Sequence, residues 1–314
     1  MSDGEWSERV ATAVGSGTLP SAEIVLPGPL DAAQSLEMFR RVGDDGLDRW
    51  DGTRLVRTLT RSERVVAYIC EPAGSVAQPR LIVRAEEARD LPEVVRALHT
   101  TFIAAPPDYP ALLAQDPALA RLDARYWGLR QVRQFDLFAA LVRCISAQQV
   151  NLRWAAVTRR RLAEAFGERH TIGDTWVYRL SVERLAVARV EDIRALQFTT
   201  RKAEYLIATA RAIAGGSLAF DELDALDDDA VIERIIALRG LGRWTAEWIL
   251  ARSLGRPRVV AGDLAVRKAV GALYLGEPLP PEGAVRQATA HWGASAGVAQ
   301  TLLLAAYAAG TLAT

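Results

Sequence analysis

One stretch of this chain combines a glycine-rich turn, two arginines beside it, two tryptophans on the helix that follows and a carboxylate further on. From Val231 to Lys268 it reads VIERIIALRGLGRWTAEWILARSLGRPRVVAGDLAVRK. Apolar residues at helical spacing (Val231, Ile232, Ile235, Ile236) end at Leu238, Arg239-Gly240-Leu241-Gly242 intervenes, and helical spacing resumes at Trp244. The pattern is helix, tight hairpin, helix. Gly240 and Gly242 permit backbone conformations that residues with a Cβ avoid, so hairpin amides can approach a ligand closely. The start of the second helix favours an anion such as phosphate, and Arg239 and Arg243 flank it with charge. Trp244 and Trp248 stand four apart on one helix face and could stack on a flat cationic ring, or equally fill the core. Asp263 lies 21 residues beyond Gly242, directly before Leu264-Ala265-Val266-Arg267-Lys268, and reads as the N-cap of a new helix.

The elements that must position these groups follow from the rest of the chain. With 314 residues, 50% of them hydrophobic, the chain can bury a sizeable core in two or three domains or subdomains. Residues 1–20 are polar, rich in Gly and Ser, and expected to fray. Ala22 to Leu26 reads as a strand, and Asp31 could cap a helix running to about Arg41. Three β-rich runs follow, Arg54 to Leu59, Arg64 to Cys70 and Arg80 to Val83, and then a helical stretch from Leu91 to Phe102. This is a small α+β domain over about 21–105, closed by the linker candidate Ala104-Ala105-Pro106-Pro107-Asp108-Tyr109-Pro110. From 106 to 314 the pattern is almost wholly helical, with the hairpin pair at about 231–254 and the Asp263 loop at 259–263. The fold class is mainly α with an N-terminal α+β domain.

Composition excludes several chemistries. Cys70 and Cys144 are too few and too far apart for a zinc site or an iron–sulfur cluster, and His99, His170 and His291 lack ligand spacing, so no metal site is expected. There is no Gly-rich nucleotide loop and no Ser-His-Asp order. No apolar run approaches the length needed to span a bilayer, and the N-terminus lacks signal-peptide order, so a cytoplasmic protein is expected. Lys plus Arg (38) equals Asp plus Glu (38), so any nucleic-acid surface must be local. Acidic residues crowd Asp221 to Asp229 and the N-terminal third, while Arg153, Arg159, Arg160, Arg161, Arg239, Arg243, Arg252, Arg256, Arg258 and Arg267 could form a basic face or merely solvate the surface.

LRGLGRWTA followed by VVAGD resembles the helix-hairpin-helix DNA glycosylase superfamily, and within it the 3-methyladenine DNA glycosylase II group. That group's G-x-G-x-W-T-A is present as Gly240, Gly242, Trp244, Thr245 and Ala246. The resemblance covers about residues 120–310 and implies a helix-hairpin-helix glycosylase fold with an all-helical catalytic half. It implies that Asp263 is the catalytic carboxylate and that Trp244 and Trp248 wall the base pocket. Trp292 falls near a third pocket aromatic of the relatives. DNA contacts are implied for Gln149, Arg239, Gly240, Gly242, Arg243 and Thr245.

Ile145-Ser146-Ala147-Gln148-Gln149-Val150-Asn151 matches a family segment whose turn, here Gln149, fills the hole left by a flipped nucleotide; an exposed helix-end glutamine without a role is the alternative. Gln197 stands where relatives have Gly, so the local backbone is open to differ. Endonuclease III and adenine glycosylase relatives carry a four-Cys cluster that this chain lacks. Bifunctional members place a Schiff-base lysine two residues after the second hairpin glycine. Here that position is Trp244, and only Lys202 and Lys268 exist. The expectation is therefore a monofunctional glycosylase of base excision repair, a monomer acting on damaged double-stranded DNA at the bacterial nucleoid. No cofactor is required, although a monovalent cation could bridge the hairpin and a DNA phosphate. The alternatives are a bifunctional oxidised-purine glycosylase and a non-catalytic helix-hairpin-helix DNA-binding protein.

Overall fold

In β1 (Ser21–Val25), alternate side chains are buried, Ala22 and Ile24 facing in and Glu23 and Val25 out, the period-2 pattern of a strand covered on one face. The computed structural model describes residues 19–61 and 64–312. A short helix α1 (Ala32–Leu36) is capped by Asp31, which accepts the Gln34 N–H at 2.9 Å. β2 (Arg49–Trp50), β3 (Leu55–Arg61), β4 (Arg64–Gly74) and β5 (Pro79–Ala85) complete an antiparallel sheet in the order β1-β5-β4-β3-β2. Helix α2 (Leu91–His99) presents Leu91, Val94, Val95 and Leu98 to one face of it, burying Tyr68, Cys70, Leu81 and Val83.

Helices α3 (Tyr109–Gln115), α4 (Pro117–Arg125), α5 (Leu137–Ala147) and α6 (Leu152–Phe166) follow. The helical pattern read from 106 onwards is then interrupted by a hairpin, β6 (Gly167–Ile172) and β7 (Thr175–Leu180), paired from Gly167↔Leu180 to Ile172↔Thr175. Gly167 and Gly173 read in sequence as helix breaks, but the β-branched and aromatic run TWVYRL between them and Ser181 is strand material. Ile172 and Val177 pack on Val56, Ala67 and Ile69, so the hairpin covers the sheet face opposite α2. That burial on both sides explains why β4 is apolar from Val65 to Cys70.

Helices α7 (Val182–Ala186), α8 (Val190–Ala195), α9 (Thr200–Ala214), α10 (Phe220–Ala225), α11 (Asp228–Ile236) and α12 (Arg243–Arg252) surround a core built on α5, whose Leu141, Val142 and Ile145 meet Leu206, Ile235 and Ile249. Helices α13 (Leu264–Val270), α14 (Glu282–Thr289) and α15 (Ala296–Ala308) close a second helical core with α3 and α4 around Leu119, Val266, Val285 and Leu303.

A buried ionic network joins the sheet to the helices. Asp45 accepts from Arg143 of α5 and, at 2.8 Å, from Arg159 of α6, while Asp48 accepts from Arg143 at 2.7 Å and from Arg57 of β3 at 2.5 Å. Burial alone would raise the Asp45 carboxyl, but the two guanidiniums hold it below its ordinary value. The network clamps α5 and α6 and so fixes the turn between them.

Candidate functional site

The hairpin between α11 and α12 needs glycine at one of its two positions for conformational reasons. Gly240 has φ of +90°, and a Cβ there would lie 2.3 Å from the Tyr205 ring of α9, so both backbone and packing demand glycine. Gly242 has an ordinary extended backbone, φ −117° and ψ −177°. Its expected conformational role is thus replaced by another: a Cβ there would meet nothing within 4 Å, so what glycine preserves is open space before α12. No side chain caps that helix, and its first amides have no intrahelical acceptors. An anion could approach them directly.

The end of α5 meets this hairpin and is itself held by α9. Gln148 at the end of α5 donates through Nε2 to the Gly240 carbonyl at 2.9 Å, and Lys202 on α9 donates through Nζ to the Ser146 carbonyl at 2.8 Å. Burial draws the Lys202 ammonium below its ordinary value. Gln149, next to Gln148, is exposed with φ of +55°, and Asn151 caps α6 beyond it. Val150, Leu152 and Trp154 are likewise exposed, so apolar side chains follow Gln149 into the start of α6. Gln197 keeps a left-handed backbone, φ +73°, so the glycine conformation is retained although the glycine is not.

The charged groups divide. Arg239 is 75% exposed and 3.4 Å from Glu204, a loose surface pair. Arg243 reaches forward one turn to Glu247 at 3.0 Å, and Arg286 of α14 meets the same carboxylate oxygen at 2.8 Å. Glu247 is 1% exposed, and its second oxygen has no hydrogen-bond partner among the described residues. Thr245, expected at the DNA surface, is buried, because as the third residue of α12 it lies on the side of that helix that faces the core.

Asp263 is held from three sides. Its backbone N–H bonds the Val260 carbonyl at 2.9 Å, and Val260 N–H is in turn accepted by the buried Gln300 Oε1 at 2.8 Å. One carboxylate oxygen accepts the amides of Ala265 at 2.9 Å and Val266 at 3.1 Å, so Asp263 does cap α13. The other accepts the indole Nε1–H of Trp244 at 3.1 Å. Capping thus occupies one oxygen and leaves the other turned to the hairpin helix, which joins the two strongest sequence features in one hydrogen bond.

The other tryptophans differ. Trp248 is half-buried against the core around α5 and α9. Trp292, expected as a pocket wall, is instead a core residue, 2% exposed, with its indole N–H donating to the Tyr274 hydroxyl at 3.3 Å. Tyr274 donates to Asp116 at 2.6 Å, and His291 shares that oxygen at 3.0 Å, so the aromatic cluster is satisfied internally. Among the described residues no group of three or more His, Cys, Asp or Glu could hold a metal. Sequence reasoning missed Gln148, Tyr205, Glu247, Arg286 and Gln300. Only Gln148 had a local signal, its place beside Gln149.

Residues 142–294 match the family model described as HhH-GPD superfamily base excision DNA repair protein. The Bacillus subtilis protein YfjP is 31% identical over 56% of this chain and 60% of its own length. DNA-3-methyladenine glycosylase of the same species is 33% identical over 45% of this chain and 47% of its own length. The chain therefore spans about half the length of these curated relatives. The structure of a 3-methyladenine DNA-glycosylase from Archaeoglobus fulgidus superposes with a TM-score of 0.80 at 22% identity, covering 91% of this chain and 98% of that one, a likeness of fold.

Proposed function

We propose that this chain, whose residues 142–294 match the model of the HhH-GPD superfamily of base excision DNA repair proteins, is a monofunctional DNA glycosylase. It turns alkylated bases of the 3-methyladenine type out of duplex DNA and hydrolyses their N-glycosidic bond. The observation that carries the reading is the Trp244–Asp263 hydrogen bond, 3.1 Å between Nε1 and Oδ2. It holds a carboxylate, already fixed by the amides of α13, against the helix whose open N-terminus would take the DNA phosphate.

In this reading the uncapped start of α12 and the Arg239 guanidinium bind the backbone flanking the lesion, and Gln149 enters the space the base vacates. As the C1′–N bond lengthens, positive charge grows on the sugar, and Asp263 stabilises it and orients the attacking water. An alkylated purine is already cationic, so it leaves without a strong general acid. The half-buried Trp244 and Trp248 offer aromatic surface beside it. Trp244 occupies the Schiff-base position and Lys202 is committed to the Ser146 carbonyl, which supports water as the nucleophile. The hairpin carbonyls would accept a monovalent cation when DNA is bound. The protein would act as a monomer in the cytoplasm, with the sheet-bearing part as scaffold.

The test is base release from methylated duplex DNA by the wild type and by Asp263→Asn. Asparagine caps as well as aspartate, so its single oxygen can keep the α13 amides while the charge is lost. Release of alkylated purines should fall at least about a hundredfold in the variant, the scale of losing an electrostatic stabiliser, with DNA affinity retained. Strand breaks should appear only after alkali. Breaks without alkali would instead support a lyase.

A further inference from the structure

Arg243 is the first residue of α12, and its side chain is 55% exposed. A cation at that place opposes the helix dipole, whose positive end lies at the same amides. What holds it is Glu247, one turn along, which accepts from the Arg243 Nε at 3.0 Å. Glu247 is 1% exposed, so the pair is not a loose surface contact: a carboxylate out of water has to keep a counterion. It has two. Arg286 of α14 approaches the same oxygen, Oε1, at 2.8 Å, while Oε2 has no partner among the described residues.

Two guanidiniums are more than one buried carboxylate needs. With Arg286 in place, Arg243 can leave and Glu247 stays paired. Without Arg286, the departure of Arg243 would strand a buried charge. The two arginines also differ in freedom. Arg286 is 33% exposed and has a second carboxylate, Glu282, at 3.5 Å. Glu282 lies against the Asp263 loop, since a Cβ on Gly262 would be 3.0 Å from its Oε1. Arg286 is thus tied to α12 on one side and to a carboxylate beside the loop on the other. Among the described residues Arg243 is paired with Glu247 alone, and it stands next to the open amides of α12.

We propose that Arg243 is a detachable phosphate ligand, parked on Glu247 in the free protein, and that Arg286 is the positioning residue that makes it detachable. The inference rests on the glycosylase reading and deepens it, because it says what sets the grip of the hairpin helix on DNA. A backbone phosphate arriving at the α12 amides competes with Glu247 for the Arg243 guanidinium, which turns to it in a charge-assisted hydrogen bond. Glu247 then keeps Arg286, and no buried charge is left alone. Affinity is thereby set through two residues that do not touch the DNA: Glu247 withholds the cation, and Arg286 releases it.

The test is fluorescence anisotropy on a fluorescein-labelled undamaged duplex over a series of salt concentrations. The proteins are wild type, Arg243→Gln, Glu247→Gln, Arg286→Gln and the double variant Glu247→Gln with Arg286→Gln, each with its thermal midpoint. Glu247→Gln frees Arg243 and should bind several-fold more tightly. Arg286→Gln tethers Arg243 and should bind several-fold more weakly. Its slope of log affinity against log salt should flatten towards that of Arg243→Gln, which lacks about one phosphate contact. The double variant has no carboxylate left to hold Arg243 and should bind at least as tightly as wild type. A double variant as weak as Arg286→Gln would mean that Arg286 meets the phosphate itself, and it overturns the proposal. Unchanged or weaker binding by Glu247→Gln does the same, and that result decides even where Arg286→Gln is too unstable to assay. Either failure leaves the glycosylase reading intact, whereas wild type that binds no duplex sinks both.

Discussion

Gln197 is a single residue whose backbone and side chain disagree. Its φ of +73° is the left-handed region, where a side chain costs on the order of 1 kcal/mol relative to glycine. The family resemblance implies Gly there, and Thr199 caps α9 soon after the turn while Lys202 anchors that helix to the Ser146 carbonyl. Replacing Gln197 with Gly should therefore stabilise the protein by about 0.5–1 kcal/mol, read as a higher urea midpoint at unchanged slope. A lower midpoint would mean that the glutamine side chain contributes a contact that offsets the strain. Asp263 is the opposite case, because its two oxygens do different work. A purely structural aspartate would need only the oxygen that caps α13, and the Trp244 bond on the other is what marks this one out.

The hairpin between α11 and α12 carries two glycines with different physical tasks, and substituting them separates folding from binding. Gly240→Ala combines a positive φ with a methyl 2.3 Å from the Tyr205 ring. It should cost at least about 2 kcal/mol in stability, from backbone strain and overpacking. Gly242→Ala meets no atom within 4 Å and needs no unusual backbone. Its stability should change by less than about 1 kcal/mol, whereas its affinity for duplex DNA should drop several-fold, since the methyl occupies the approach to the α12 amides. Thermal unfolding and fluorescence anisotropy on the same two variants check this. Equal DNA affinity for Gly242→Ala and wild type would remove the anion from the start of α12.

At the scale of the whole molecule, the sheet and the helices are joined by charges rather than by apolar packing alone. Asp45 is 2% exposed between Arg143 and Arg159, and those guanidiniums hold its carboxyl below its ordinary value against the opposing effect of burial. A folded value below the unfolded one stabilises the protein fully above the unfolded value and loses that contribution as pH falls through the folded one. Wild type should thus lose stability below about pH 4, and Asp45→Asn should lose less over the same interval. At pH 7 that variant should be less stable by roughly 3–5 kcal/mol, because it leaves two buried cations short of their anion. Parallel pH dependences in chemical denaturation would show that Asp45 does not control the acid limb.

The sequence alone determined what is local: the glycine hairpin, the Asp before a helix, the strand runs of the first hundred residues and the family resemblance these carry. Periodicity and capping act within a few turns, so they are written in neighbouring residues. It left the β6–β7 hairpin inside a helical reading, because a short strand pair is stabilised by the sheet face it covers and not by its own pattern. Tertiary structure alone decided the rest. It placed Trp292 in the core, Thr245 under the surface and Trp244 against Asp263. It also brought Gln148 to Gly240 and Gln131 to Ala251 across 92 and 120 residues of chain. Such contacts depend on how separate elements pack, and no local spacing of side chains encodes that distance.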